Sequence, residues 1–268
     1  MKLCISEKKL LPKDKNLSII NRWINDALLA VVFLTRMPIS LSKNIKNQKL
    51  ADVTWAFPLV GVFVGGLAGI AMLIGFQIGL PSMVCGLIAV AAQVLMTGAL
   101  HEDGLADVAD GFGGGKKVVN KLKIMRDSRV GTYGVLALIF SVTFRAGLIA
   151  SMSSQTIAIL ALMSAGAVSR AFVALAMNQL EMVRTEGLAS KAGQPTNEAT
   201  LVTLALGCAI AFLLLGAGGW IVLVLAFGAT VLMGLLARRQ IGGQTGDVLG
   251  TIQQVSEIAV LLGVIWVM

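Results

Sequence analysis

Apolar residues fall in long blocks along this chain, and short polar segments separate them. A membrane-crossing helix needs about 20 predominantly apolar residues. Seven blocks meet or approach that length: 55–79, 83–100, 133–151, 156–179, 200–217, 219–236 and 251–268. The segment 23–41 is weaker. It carries Asp26 and Arg36 and runs into Pro38, so it reads as an interfacial or re-entrant helix. The pattern predicts an all-α, polytopic membrane bundle of about seven transmembrane helices. Residues 1–22 read as a polar, basic and flexible N-terminal extension, without an apolar stretch that reads as a cleaved signal peptide. Residues 23–268 read as a single transmembrane catalytic domain.

Composition agrees with this pattern. The chain is 56% hydrophobic and only 13% charged, about half the charge of a soluble domain. Its net charge of +8 raises the question of nucleic acid, and the distribution of charge answers it. Of 22 Lys and Arg, 20 lie in segments 1–54, 101–132, 180–199 and 237–250, which share one face if seven spans are crossed. Arg145 and Arg170 lie inside spans, and the opposite loops have none. Basic loops of this kind orient a membrane protein with that face in the cytoplasm. Nucleic acid is therefore not needed, and the lipid bilayer is the expected partner. Cys4, Cys85 and Cys208 are far apart and show no metal-ligand spacing. Gly61, Gly65 and Gly69, at four-residue intervals, predict close helix packing.

The stretch ALHEDGLADVADGFGGG, directly after an apolar block, concentrates the chemistry. Asp103, Asp107 and Asp110 are spaced by four and three, which places them within a ~60° sector of a helix. Three carboxylates in register repel one another and call for a cation. Oxygen-only ligands suit Mg²⁺. A solvated helix cap is the competing reading. His101 and Glu102 lack the second histidine of a zinc-protease motif, and GFGGGKK lacks the first glycine and the Ser/Thr of a Walker A loop. The glycines fit close backbone approach to a bulky anion. His101 takes either a substrate or proton role, or a structural one.

Val118, Val119, Leu122 and Met125 form an apolar stripe that predicts a surface-lying helix. It leads to Arg126, Asp127 and Arg129, which read as phosphate ligands beside a further metal carboxylate, with a local ion pair as the alternative. Arg184, Glu186 and Lys191 follow on the same side, as do Arg238, Arg239, Gln244, Thr245 and Asp247. Arg170 is expected to face the bundle interior, toward a carboxylate or a substrate phosphate. The candidate catalytic residues are therefore His101, Asp103 and Asp127. The metal candidates are Asp103, Asp107, Asp110 and Asp127. The substrate-binding candidates are Arg126, Arg129, Arg170, Arg184, Gln244 and Asp247. No Ser-His-Asp or Cys-His arrangement is evident, so direct in-line displacement at phosphorus fits best.

These residues also carry a resemblance. The pattern H-x-D-G-L-A-D-x-x-D-G at 101–111 and IMRDSRVGTYG at 124–134 resemble the cobalamin synthase family, the adenosylcobinamide-GDP ribazoletransferases. FLTRMP at 33–38, FPLVG at 57–61, AVSR ending at Arg170, RTEGL at 184–188 and GGQTGDVLG at 242–250 match further blocks, in order. Glu102 departs from the pattern, which usually has an apolar residue there. The resemblance implies a Mg²⁺-dependent enzyme of the bacterial cytoplasmic membrane, with its site facing the cytoplasm. It would join adenosylcobinamide-GDP to α-ribazole or α-ribazole 5′-phosphate and release GMP. The rival readings are a membrane CDP-alcohol or prenyl transferase and an ion-coupled transporter. Asp103 and Gly104 are followed by Leu-Ala-Asp, without the arginine of the CDP-alcohol motif, and no internal repeat supports transport. The sequence leaves open whether the chain forms a homo-oligomer.

Overall fold

The computed structural model describes residues 15–41, 48–184 and 192–267. Its helices are α1 (Lys15–Leu34), α2 (Phe57–Gln77), α3 (Ser82–Thr97), α4 (Leu100–Gly114), α5 (Val118–Ile124), α6 (Thr132–Ala150), α7 (Gln155–Gln179), α8 (Asn197–Leu215), α9 (Gly219–Ile241) and α10 (Gly246–Val267). A 3₁₀ segment, Leu50–Ala56, leads into α2, whose first turn carries Pro58, where a missing N–H costs nothing. Ser154 and Thr196 cap α7 and α8 by accepting the backbone N–H groups of Ile157 and Ala199.

Among the described residues, five stretches are long and apolar enough to cross a membrane: Leu50–Gln77, Thr132–Ala150, Gln155–Gln179, Asn197–Ile241 and Gly246–Val267. The 45-residue stretch is a hairpin of α8 and α9. Gly216, at φ +55°, breaks it, and the Phe212 and Trp220 rings meet at 5.1 Å. Both outer ends return to the end of α7: Asn178 Nδ2 donates to Asn197 Oδ1 at 3.0 Å, and Arg238 Nη2 donates to the Gln179 carbonyl at 2.6 Å. With the limbs counted separately and α3 added, the seven expected apolar blocks are all helical. The block expected over 83–100 ends early, at Thr97. Gly98 and Ala99 both adopt left-handed conformations (φ +66° and +59°), and α4 leaves at 94° to α3. The acidic motif therefore lies on a helix bent sharply from α3 and packed against α6 and α10.

Burial is inverted relative to a soluble protein. Phe140, Leu213, Leu232 and Trp266 face outward, while Arg145, Arg170, Gln253, Gln254 and Glu257 are enclosed. An apolar exterior around a polar interior suits lipid as solvent. The bundle defines a multi-pass membrane protein. Its innermost helices are α7 and α10. The four-residue glycine spacing marks where α2 meets α7: a Cβ at Gly61 or Gly65 would run into the backbone at Gly166 or Leu162. The N-terminal extension is shorter than the sequence pattern suggests, because α1 already begins at Lys15. Residues 1–14, including Cys4, lie outside the described residues, as do Glu186 and Lys191.

Candidate active site

Where α4 crosses the start of α10, the chain is glycine on both sides. A Cβ at Gly104 would meet the backbone of Asp247, and one at Gly250 would press on His101. Thr251 Oγ1 fixes the crossing by donating to the Gly104 carbonyl at 3.1 Å. This close approach puts His101 and Asp103 on the same cavity as Asp247. The loop after α7 adds Arg184, and α1, the 3₁₀ segment, α2 and α7 also contribute to its lining.

Arg184 bridges the elements. Its Nη1 donates to Asp247 Oδ2 at 3.2 Å and its Nη2 to the Leu122 carbonyl at 2.9 Å, while its buried Nε has no partner. Thr245 Oγ1 donates to the same Asp247 oxygen and accepts from Val248 N at 3.3 Å, capping α10. Asp103 is exposed to the cavity and Asp107 is half-buried one turn further on. Burial, with the Asp247 and Asp103 carboxylates, pushes Asp107 up to about 7. One arginine among three carboxylates leaves excess negative charge at the cavity.

The other candidates do not join this group. Asp110 is buried and its two oxygens accept the Gly131 and Gly134 N–H groups at 2.6 and 2.9 Å, which caps α6 rather than presenting a free ligand. Gln244 is turned inward: its Nε2 donates to the Met177 and Leu180 carbonyls at 3.1 and 2.7 Å. It pins the Arg184 loop, where a parallel bridge also joins Met182 to Gln244. Arg126 is exposed. Asp127 and Arg129 form the local ion pair, at 2.8 Å on the surface. The Arg129 side chain and backbone N–H draw Asp127 down to about 2. Arg170 lies in the bundle and donates to the Gly166 carbonyl of its own helix at 3.1 Å; its nearest carboxylates are Glu257 and Glu102. The motif glycines face protein: a Cβ at Gly111 would strike Met125 and one at Gly113 the Tyr133 ring.

Among the described residues, no three His, Cys, Asp or Glu side chains form a ready-made metal cage. Mg²⁺ rarely needs one, because it keeps several waters and takes one or two carboxylates plus substrate phosphates. Asp103 and Asp107, crowded by Asp247, fit that donor set.

Two groups of residues escaped the motif search. The apolar cavity wall, including Phe33, Phe57, Val173 and Met177, looks like ordinary core in a chain so rich in such residues. The partner of Arg145 was legible only as the departure at Glu102.

A helical membrane bundle with a carboxylate- and arginine-lined cavity at one end is the build of an integral-membrane enzyme acting on phosphorylated substrates. The chain belongs to the Cobalamin-5-phosphate synthase family, which it matches over residues 26–265. It is 42% identical over 244 residues to an adenosylcobinamide-GDP ribazoletransferase of Bradyrhizobium diazoefficiens, covering 91% of this chain and 94% of the relative. It is 43% identical over 258 residues to that of Mesorhizobium japonicum, covering 93% and 96%. Identity is again 43%, over 259 residues, with that of Azorhizobium caulinodans, covering 91% and 97%. No solved structure matches.

Proposed function

We propose that this protein is an adenosylcobinamide-GDP ribazoletransferase whose reaction runs in the cavity between α4, α10 and the Arg184 loop. A hydroxyl of α-ribazole, or of its 5′-phosphate, attacks the phosphorus bound to adenosylcobinamide. A P–O bond forms there, the anhydride bond to GMP breaks, the hydroxyl proton is lost, and adenosylcobalamin or its 5′-phosphate results. The observation that carries this reading is the convergence of Asp103, Arg184 and Asp247 from three separate segments on one cavity.

Asp103 and Asp107 would hold Mg²⁺, which would neutralise charge on the diphosphate when bound. Arg184, fixed by Asp247 and Leu122 and lining the cavity, holds a phosphate oxygen in a defined direction. His101 lines the same cavity and offers a hydrogen bond to the acceptor, while the hydroxyl proton passes to solvent. Arg126 and Arg129 are exposed and follow the helix whose Leu122 carbonyl receives Arg184. They serve the more distant phosphate of the diphosphate substrate, with that phosphate displacing Asp127 from the Arg129 fork. The concentration of Lys and Arg in the segments at this end supports a cytoplasm-facing site in the inner membrane.

The test is GMP release by purified protein in detergent, supplied with adenosylcobinamide-GDP, α-ribazole and Mg²⁺. Release that needs both substrates and stops on chelation is expected. Absence of release with either ribazole acceptor at saturating Mg²⁺ overturns the reading.

A further inference from the structure

The cavity lining is of two chemical kinds: Asp103, Arg184 and Asp247 are charged, and Phe33, Phe57, Leu100, Val173 and Met177 of α1, α2, α4 and α7 are apolar. The volume is about 230 Å³. Clefts for drug-sized ligands run to about 300–1,000 Å³, so this one takes a fragment of a substrate.

Three fragments compete on the ribazole-transfer reading, on which this inference rests. A corrin macrocycle is far too large. Guanine fits by size, but its edge carries donors and acceptors almost all round, and the five apolar side chains offer them no partners. Burying such groups unpaired is costly. A methylated benzimidazole has apolar edges and one free ring nitrogen. His101 lines the same cavity, and among the described residues none hydrogen-bonds its imidazole. One polar ring beside an apolar wall matches one polar atom on an apolar bicycle.

We propose that the apolar half of the cavity is the acceptor subsite, receiving the benzimidazole base of α-ribazole. Phe57, Val173 and Met177 then set which lower bases are accepted. The ribose hydroxyl emerges toward Asp103 and Arg184, which line the same cavity, and the guanosine end of the donor stays outside on the rim.

The test compares wild type with Val173→Phe, which fills the subsite, using purified protein and three acceptors: the α-ribosides of benzimidazole, 5,6-dimethylbenzimidazole and adenine. The filled variant should raise KM for the dimethylated acceptor about ten- to a hundredfold, and less for unsubstituted benzimidazole. KM for adenosylcobinamide-GDP should stay within about twofold, since no wall contact is lost to it. Met177→Ala should relax the discrimination among bases. Val173→Leu, a smaller change, repeats the measurement in the same direction if Val173→Phe does not fold. An increase in KM for adenosylcobinamide-GDP with the acceptor KM unchanged overturns the assignment, as does an unchanged ranking of the three acceptors. If wild type releases no GMP, the transferase reading itself fails. Active wild type with an unchanged ranking in the variants removes only the subsite.

Discussion

Glu102 Oε1 lies 2.8 Å from Arg145 Nη2, and both side chains are sealed inside the bundle. Arg145 Nη1 is 3.4 Å from Glu257 Oε1, so one guanidinium serves two carboxylates. Gln254 donates to Glu102 at 3.1 Å, Ser141 donates to Gln254 at 2.9 Å, and Gln253 donates to Glu257. Removing one partner of a buried pair typically costs about 3–5 kcal/mol, because the other charge remains. Arg145→Met strands two carboxylates and should sharply lower the thermal midpoint in detergent. Glu102→Gln leaves Arg145 paired with Glu257 and should cost less. Equal midpoints for both variants would show that the network carries no such charge dependence.

Asp110 and Asp103 share a helix but differ in what touches them. Asp110→Ala removes the acceptor for two backbone N–H groups of α6 and should cost about 0.5–2 kcal/mol, with the Mg²⁺ requirement unchanged. Asp103→Asn should leave the midpoint alone and cut turnover by about tenfold to a thousandfold. Unfolding curves and Mg²⁺ titrations on both variants check the contrast. A raised Mg²⁺ requirement in Asp110→Ala would return that residue to the metal site.

Asp107 predicts a pH effect. Its carboxyl sits at about 7 in the fold against an ordinary 3.8. The native state thus holds the proton more tightly than the unfolded chain, and stability falls as pH rises between those values. A divalent cation takes the ionised form and competes with the proton. At limiting Mg²⁺, activity should rise as pH passes through about 7, and saturating Mg²⁺ should move that midpoint to lower pH. In Asp107→Asn this Mg²⁺-dependent displacement should vanish. A midpoint that ignores Mg²⁺ in the unmutated protein would separate Asp107 from the cation.

Gly98 sets the bend that aims α4. At φ +66° a Cβ is strained, and here it would also collide with the Arg36 side chain. Gly98→Ala should cost about 1–2 kcal/mol from the backbone alone and lower turnover by tilting Asp103 and Asp107. Thermal unfolding and GMP release measure the two effects. An unaltered midpoint would mean that the chain turns elsewhere.

The sequence made the spans legible because lipid demands long apolar blocks, and the acidic helix legible because three aspartates share one face. What those aspartates do was not legible. Asp110 has the same spacing as a ligand but meets the start of α6, 21 residues away in sequence. Gln244 stands in a motif beside Asp247, yet its amide faces the end of α7. Asp127 and Arg129 are close enough in sequence to satisfy one another, and do so. Helical periodicity ranks residues on one element, whereas these outcomes depend on what a second element brings. The glycines at 104 and 250 belong to the same class: each is unremarkable alone and decisive where the helices cross.

Helix α1 supplies Phe33 and Leu34 to the cavity but is not among the stretches apolar enough to cross a membrane. One part of the cavity lining therefore comes from a helix outside the crossing set, and much of the rest from crossing helices. A protein that begins after α1 keeps every crossing helix together with Asp103, Arg184 and Asp247, yet loses one side of its chamber. Crossing the bilayer and closing the cavity thus draw on different sets of helices, and Phe33 can be altered without touching a crossing helix.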